Sequence, residues 1–204
     1  MKKSGFVLFV VAMFFVTGVQ AQGMRALFVD APDSIFPLLT RNNRADCVDF
    51  IDANMRARVT NRLDGTSELV SISNDYLELR SSANSAVQMK LLPFEGDSLL
   101  AVVRSVCAES CDSRIAFYRK SWEQVNVPFQ RPQVSDFFVA TDSLDYLLQR
   151  CDIYLVQLSL SASDNSLTAE YTMPHYMTEE DSALVAPKLR PLVYRWKNGA
   201  FVKE

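Results

Sequence analysis

The residues able to do sharp chemistry are few. The chain has one histidine, His175, and four cysteines, Cys47, Cys107, Cys111 and Cys151. A single imidazole excludes most zinc sites and any site that needs two. A Ser-His-Asp triad would have to use His175, within Met173-Pro174-His175-Tyr176, and no Gly-x-Ser-x-Gly elbow accompanies it. A surface-loop histidine is the simpler reading. Cys107 and Cys111 are spaced CxxxC, not the CxxC of thioredoxin-like or zinc motifs. The six glycines are scattered and make no phosphate-cradling loop. Neither a metal site nor a cofactor is expected.

Carboxylates are numerous, and local structure accounts for those that cluster. Asp49 and Asp52 share a helix face, and Glu179, Glu180 and Asp181 sit at a helix start. A glycosidase needs two carboxylates held opposite each other across a cleft. The sequence singles out no such pair, so an envelope hydrolase of this type stands only as the alternative function. Aromatic residues give a better hint. Tyr118, Trp122, Tyr194 and Trp196 fall near strand ends, where an exposed set would make a platform for a sugar or a peptide. Core packing competes with that reading, because alternation sends Phe117 and Tyr118 to opposite faces and one of each neighbouring pair is expected inside. Asp112-Ser113-Arg114 reads as a tight structural turn followed by a strand.

The elements that would position these residues divide at Gly65. Before it, Asp33 to Asn61 reads as helical. Asp33 caps a short first turn through Ile35 and Leu39. Asn43 caps a longer helix in which Cys47, Val48, Ile51, Met55 and Val59 recur at helical spacing. Asp46, Asp49 and Asp52 come early and Arg56, Arg58 and Arg62 late, with Asp52 and Arg56 as an i,i+4 pair, and Gly65 fits the stop. After it, Glu68–Ser73, Tyr76–Arg80, Ala86–Leu92, Leu99–Val106 and Arg114–Arg119 alternate as strands of an antiparallel meander. Val127 to Pro132 reads as a linker. Asp142 caps a second helix with Leu144, Leu147 and Leu148 inward; Ile153–Ser161 and Ser166–Met173 are strands; Thr178 opens a short helix with Asp181. Leu192–Trp196, Asn198-Gly199 and Ala200–Lys203 form a hairpin with a type I′ turn. Residues 113–125 resemble residues 190–202, which suggests two similar strand-rich halves.

Composition and the N-terminus set the compartment. Lys2 and Lys3, the uncharged apolar run Phe6 to Val16, and the small residues of Val19-Gln20-Ala21 have the build of a secretory signal peptide over residues 1–21. Residues 22–204 are then one α+β domain, with a subdomain boundary near 127–133. No cysteine lies near the cleavage position, so a released rather than lipid-anchored chain is expected, in the periplasm or outside the cell. No later stretch is apolar and long enough to span a bilayer. The net charge of −3, with no cluster of Lys or Arg, argues against nucleic acid as a partner. In an oxidising compartment an even cysteine count favours disulfides. Three complete pairings exist. The favoured one joins Cys107 to Cys111 across a small loop and Cys47 to Cys151, with free buried thiols as the alternative.

Leu38-Leu39-Thr40, the Arg44-Ala-Asp-Cys-Val-Asp-Phe-Ile-Asp52 helix, Lys90-Leu-Leu-Pro93 and Asp112-Ser-Arg-Ile-Ala-Phe-Tyr118 together resemble an exported Bacteroidales family of unknown function. The resemblance runs over most of the chain and is clearest before Trp122. It implies export and a single family-wide domain, and it transfers no activity and no site residue. Cys111 departs from the family pattern after the first cysteine, which counts against the Cys107–Cys111 bridge. The expectation is an α+β fold, mainly antiparallel sheet with an N-terminal helical segment. Its function is that of a non-enzymatic binding or envelope-associated protein whose partner is a peptide, a glycan or another envelope protein.

Overall fold

The computed structural model describes residues 23–204. The segment read as a signal peptide lies outside the described residues. Among those described, no helix is long and apolar enough to cross a membrane.

The N-terminal region packs two helices, α1 (Met24–Val29) and α2 (Arg41–Asp52), against a sheet. Thr40, not Asn43, caps α2. Its side chain accepts from the Asn43 N–H, and the Asn43 side chain reciprocates to the Thr40 N–H at 3.1 Å. Asp33 caps nothing; its carboxylate takes Arg62 and Arg44 instead. Arg44 is buried, and its guanidinium donates to the carbonyls of Val29, Ala31 and Leu39, which ties down the loop between the helices. The helix expected through Val59 ends at Asp52. Asn54 adopts a left-handed backbone (φ 56°), and the chain re-enters as strand β1 (Ala57–Thr60), where Ala57 and Val59 face inward at strand spacing. Accordingly Asp52 pairs with Arg25 rather than Arg56, and Arg56 and Arg58 both bind Glu68. Gly65 belongs to the following turn, which the Asn61 side chain closes on the N–H groups of Leu63 and Gly65.

The expected meander is present and larger than its parts. Strands β1, β2 (Thr66–Ile72), β3 (Tyr76–Ser82), β4 (Ser85–Phe94), β5 (Asp97–Cys107), β6 (Cys111–Tyr118) and β7 (Gln124–Val125) form one antiparallel sheet in sequence order. Asp112, read as part of a turn, is the second residue of β6; the turn is Ala108–Ser110. Residues 126–133 lead away from this sheet. Helix α3 (Leu144–Leu148) follows, preceded by Ser143 with no side-chain cap from Asp142. Strand β8 (Val156–Leu160) starts three residues later than expected, because Ile153 lies exposed before it, and β9 (Ser166–Tyr171) follows. Helix α4 (Glu179–Val185) is capped by Thr178 through Asp181 as read. The hairpin of β10 (Leu192–Lys197) and β11 (Ala200–Lys203) turns through Asn198 and Gly199, both at positive φ, as a type I′ turn requires. A Cβ on Gly199 would lie 2.9 Å from the Phe94 ring. The second sheet is antiparallel in the order β11-β10-β9-β8.

The layers are therefore helices, large sheet, small sheet, with apolar cores on both faces of the large sheet. Leu77, Met89, Leu100, Val102 and Tyr118 pack with α1 and α2. Leu92, Leu99, Val103 and Phe117 pack with β8, β9 and β10. Phe117 and Tyr118 are thus both buried, each in its own core, where one had been expected outside. Strand β8 lies across β6, β5 and β4. Its N–H groups at 156, 158 and 160 point away from β9, and side chains of the large sheet accept them: Asp112 at 3.4 Å, Ser113 Oγ at 3.0 Å and Gln88 Oε1 at 2.9 Å. The Ser113 hydroxyl also lies 2.7 Å from that of Ser105.

Replacing Ser113 by Ala would leave the Leu158 N–H unpaired in the buried interface. We expect Ser113→Ala to cost about 1–3 kcal/mol, read as a lower urea midpoint at unchanged slope.

Candidate functional site

The four aromatics split into two pairs on opposite faces of the large sheet. Tyr118 and Trp122 pack together at 5.8 Å in the helix-side core, and Trp122 sits in a turn at φ 67° with its Nε1 buried and without a partner among the described residues. Tyr194 lies in the inter-sheet core against Phe129 at 5.4 Å, and burial pushes its phenol up to about 12. Trp196 stacks on Phe117 at 5.7 Å, and its Nε1 donates to the Pro93 carbonyl at 2.7 Å. Trp196 lines a surface cleft beside Glu95, Asp97 and Asn198. Tyr118 and Trp122 are not brought together with Tyr194 and Trp196.

Cys107 and Cys111 are directly paired across the β5–β6 hairpin and form a disulfide. The departure at Cys111 therefore does not remove the bridge. The second expected bridge is absent: Cys47 is a free thiol buried under α2, and Cys151 is a free thiol beside α3. The two belong to cores on opposite sides of the large sheet, so no disulfide can join them. Burial pushes the Cys47 thiol up to about 11 and also raises that of Cys151.

Among the described residues the carboxyls that depart from their ordinary values share one direction. Among the described residues no group of three His, Cys, Asp or Glu could hold a metal ion. Six carboxyls depart from their ordinary values, and all six move down. Hydrogen bonds drive five of them: from Arg62 on Asp33, Arg56 on Glu68, Lys120 on Asp97, the Gln133 N–H on Asp136, and the hydroxyls of Ser166 and Ser161 on Asp164. For Asp75 burial pulls upward, but Lys90 and Ser73 outweigh it. A general acid needs the opposite direction. His175 is exposed in a 3-10 turn, Met173–Tyr176, as a surface-loop residue.

A different feature stands out, at the open edge of β6. In an antiparallel ladder alternate residues point their N–H and C=O groups to one side. Cys111 bonds outward to the Thr172 hydroxyl, and the Arg119 N–H bonds outward to Glu123. The residues between them with the same parity are 113, 115 and 117. Phe117 is covered by Val125 of β7. The main-chain groups of Ser113 and Ile115 face out with no partner among the described residues. Beyond them the chain bows away from β6. It leaves at Val125 and is pinned again where Arg131 meets Asp112 at 3.0 Å and stacks over Tyr154 at 5.0 Å. Pro128 within this strap, and Pro132 just beyond its pinned end, have no N–H to offer a ladder. Between strap and edge is a cleft of about 470 Å³, lined among others by Ser113, Ile115, Phe117, Val127, Phe129 and Leu158. No carboxylate lines it. Sequence reading placed a linker here and missed the cleft; the two prolines are the trace it left.

A family model described as "Protein of unknown function (DUF3256)" matches residues 16–201. The chain belongs to this family. The resemblance to a family of unknown function is thus borne out. A solved structure, that of a domain of an uncharacterized protein from Porphyromonas gingivalis W83, is similar to the chain at 26% identity and a TM-score of 0.76. The match covers 91% of this chain and 99% of that one, so the shared fold extends over nearly the whole of both. No curated protein matches the chain.

Two measurements check this arrangement. With the Cys47 thiol at about 11, only about one molecule in a thousand carries the thiolate at pH 8. Iodoacetamide should leave native Cys47 unmodified in the time that labels it fully after unfolding, when mass spectrometry should count two alkylated thiols without reductant and four with it. The Ile115 amide should exchange with deuterium far faster than those of Arg114 and Ala116, which point into the β5 ladder.

Proposed function

We propose that this is an exported, non-enzymatic binding protein that takes up an extended peptide segment of a partner along the open edge of β6. One observation carries the reading: a stretch of strand edge whose main-chain groups at Ser113 and Ile115 lack partners, walled by a strap that holds the space open. An added strand satisfies such groups with its own backbone, and alternate side chains then decide specificity. The cleft's volume, about 470 Å³, is in the range of small binding sites. Its floor of Ile115, Phe117, Phe129 and Leu158 favours a peptide with an apolar side chain on the face that turns toward the small sheet. Export rests on the charged start, apolar run and small-residue cleavage position of residues 1–21, and it places the partner in the periplasm or outside the cell. Peptide is favoured over glycan because the unpaired groups are backbone donors and acceptors at strand spacing, and because the four aromatics that would make a sugar platform are divided between the two faces of the large sheet and share no surface.

A random heptapeptide library displayed on phage and selected on the purified chain tests the proposal. Selected peptides should alternate apolar and polar residues. Ile115→Pro removes the outward N–H and touches no β5 bond, so it should weaken their binding by about tenfold or more, the loss of a buried hydrogen bond and its partner. Ile115→Ala, which keeps the N–H, should retain most of it. A library with no binders, or binders indifferent to Ile115→Pro, would overturn the proposal.

A further inference from the structure

A second groove lies on the opposite face of the large sheet, at the end of β3, β4 and β5 that α2 leaves uncovered. It has a volume of about 320 Å³ and is roofed by the loop before α2. Ile35, Pro37, Leu38, Leu79, Val87 and Val106 make its walls, and Val106 is 65% exposed. Arg104 stands at its mouth. Arg104 is half-buried, yet its hydrogen bonding amounts to one long contact, 3.5 Å, to the Ile35 carbonyl. A guanidinium has five N–H donors, so most of those on Arg104 lack a protein acceptor among the described residues.

Arg114 lies directly opposite Arg104 across the β5–β6 ladder, on the same face. Like charges in that position oppose each other and destabilise the pair. Arg25, Arg41, Arg44, Arg56, Arg58 and Arg62 of the surrounding face and edge all have carboxylate partners. Arg104 and Arg114 have none among the ion pairs of the described residues. Two facing cations without a counter-charge, beside an apolar slot, break a local rule in a way that a bound anion would relieve. The anion must carry an apolar tail to use the slot, and a planar carboxylate head matches the arginine fork.

We infer that this groove binds a long-chain carboxylate, its hydrocarbon tail under the Ile35–Leu38 loop and its head between Arg104 and Arg114. The groove lies on the other face of the sheet from the β6 edge cleft; Arg114 borders that cleft as well, whereas Arg104 lines the groove alone, so Arg104→Gln is the variant that tells the two sites apart.

Titration of the purified full-length mature chain with dodecanoate below its micellar concentration, followed by calorimetry and by amide shifts in nuclear magnetic resonance spectra, tests it. Dodecanoate should bind saturably at one site and shift the amides of residues 34–39 and 104–106. Dodecanol, with the tail and no charge, should bind about tenfold more weakly or worse. Arg104→Gln should produce a similar loss, and Ser81→Trp, which fills the groove at its apolar floor, should abolish binding. Urea midpoints of both variants check that they are folded, and Ile115→Pro should leave dodecanoate affinity unchanged. Absence of saturable binding, equal affinity for dodecanol, or folded Arg104→Gln binding as well as the parent would each overturn the inference.

Discussion

An edge strand laid across the face of another sheet has a problem that apolar packing does not solve. Its outward N–H groups leave water and meet side chains instead of a backbone ladder. In this chain β8 is that strand, and Asp112, Ser113 and Gln88 are the side chains that meet it. The stitching fixes where the small sheet sits on the large one, because acceptors at β6 and β4 are spaced to match alternate residues of a crossing strand. Two further contacts hold the ends. Thr172 bridges to Ser110 and Cys111 at the tip of the β5–β6 hairpin, and Lys90, buried among Tyr76, Asp75 and the Ala162 carbonyl, closes the other side. Each polar group placed in this interface would cost several kcal/mol if left alone, so the interface tolerates one arrangement of the two sheets and few others.

That arrangement explains the rest of the surface. Once β8 occupies the face of β6, the chain linking the sheets must pass outside β6 to reach it. It does so as the strap from Val125 to Arg131, held off the edge by Pro128 and by Phe129, which packs on Tyr194 and Phe201 instead of on β6. The open edge at Ser113 and Ile115 follows from the same geometry: Ser113 turns its hydroxyl toward β8 while its main chain turns toward the cleft. Exposed edges invite pairing with other chains, and proteins ordinarily cover or charge them. Here the strap narrows the space beside the edge to a slot.

Much of the fold was legible because it is local. The type I′ hairpin at Asn198-Gly199, the Thr178 cap and the turn punctuation of the meander depend on residues a few positions apart. The end of α2 was not, because Val59 continues the helical spacing of Val48 and Ile51 while belonging to a strand; the left-handed Asn54 that separates them carries no periodic signal. The burial of both Phe117 and Tyr118 was hidden for a different reason. Alternation predicts one wet face only where a sheet has one, and nothing within β6 announces that a second sheet, whose Leu158 is 45 residues after Ser113, will cover it. The same holds for the cysteines: pairing Cys107 with Cys111 needs only a hairpin, whereas Cys47 and Cys151 are separated by a whole sheet.

The candidate site was the least legible feature, and the reason bears on how such sites arise. Catalytic centres advertise themselves through residue types, and this chain offers one histidine, carboxyls drawn down by hydrogen-bond donors, and aromatics used for packing. An unpaired strand edge is written in no residue type, since every residue but proline carries the same N–H and C=O. What records it is an absence of pairing created by topology, with Pro128 and Pro132 as the local sign that the next segment will not supply the missing strand. The proposed mode of binding therefore leaves side chains along β6 free to vary while the edge is kept, provided that the residues stitching β8 in place are kept. Ser113 serves both ends of that requirement, one group holding the sheets in register and the other facing the slot, and it is the position where fold and proposed binding constrain each other most tightly.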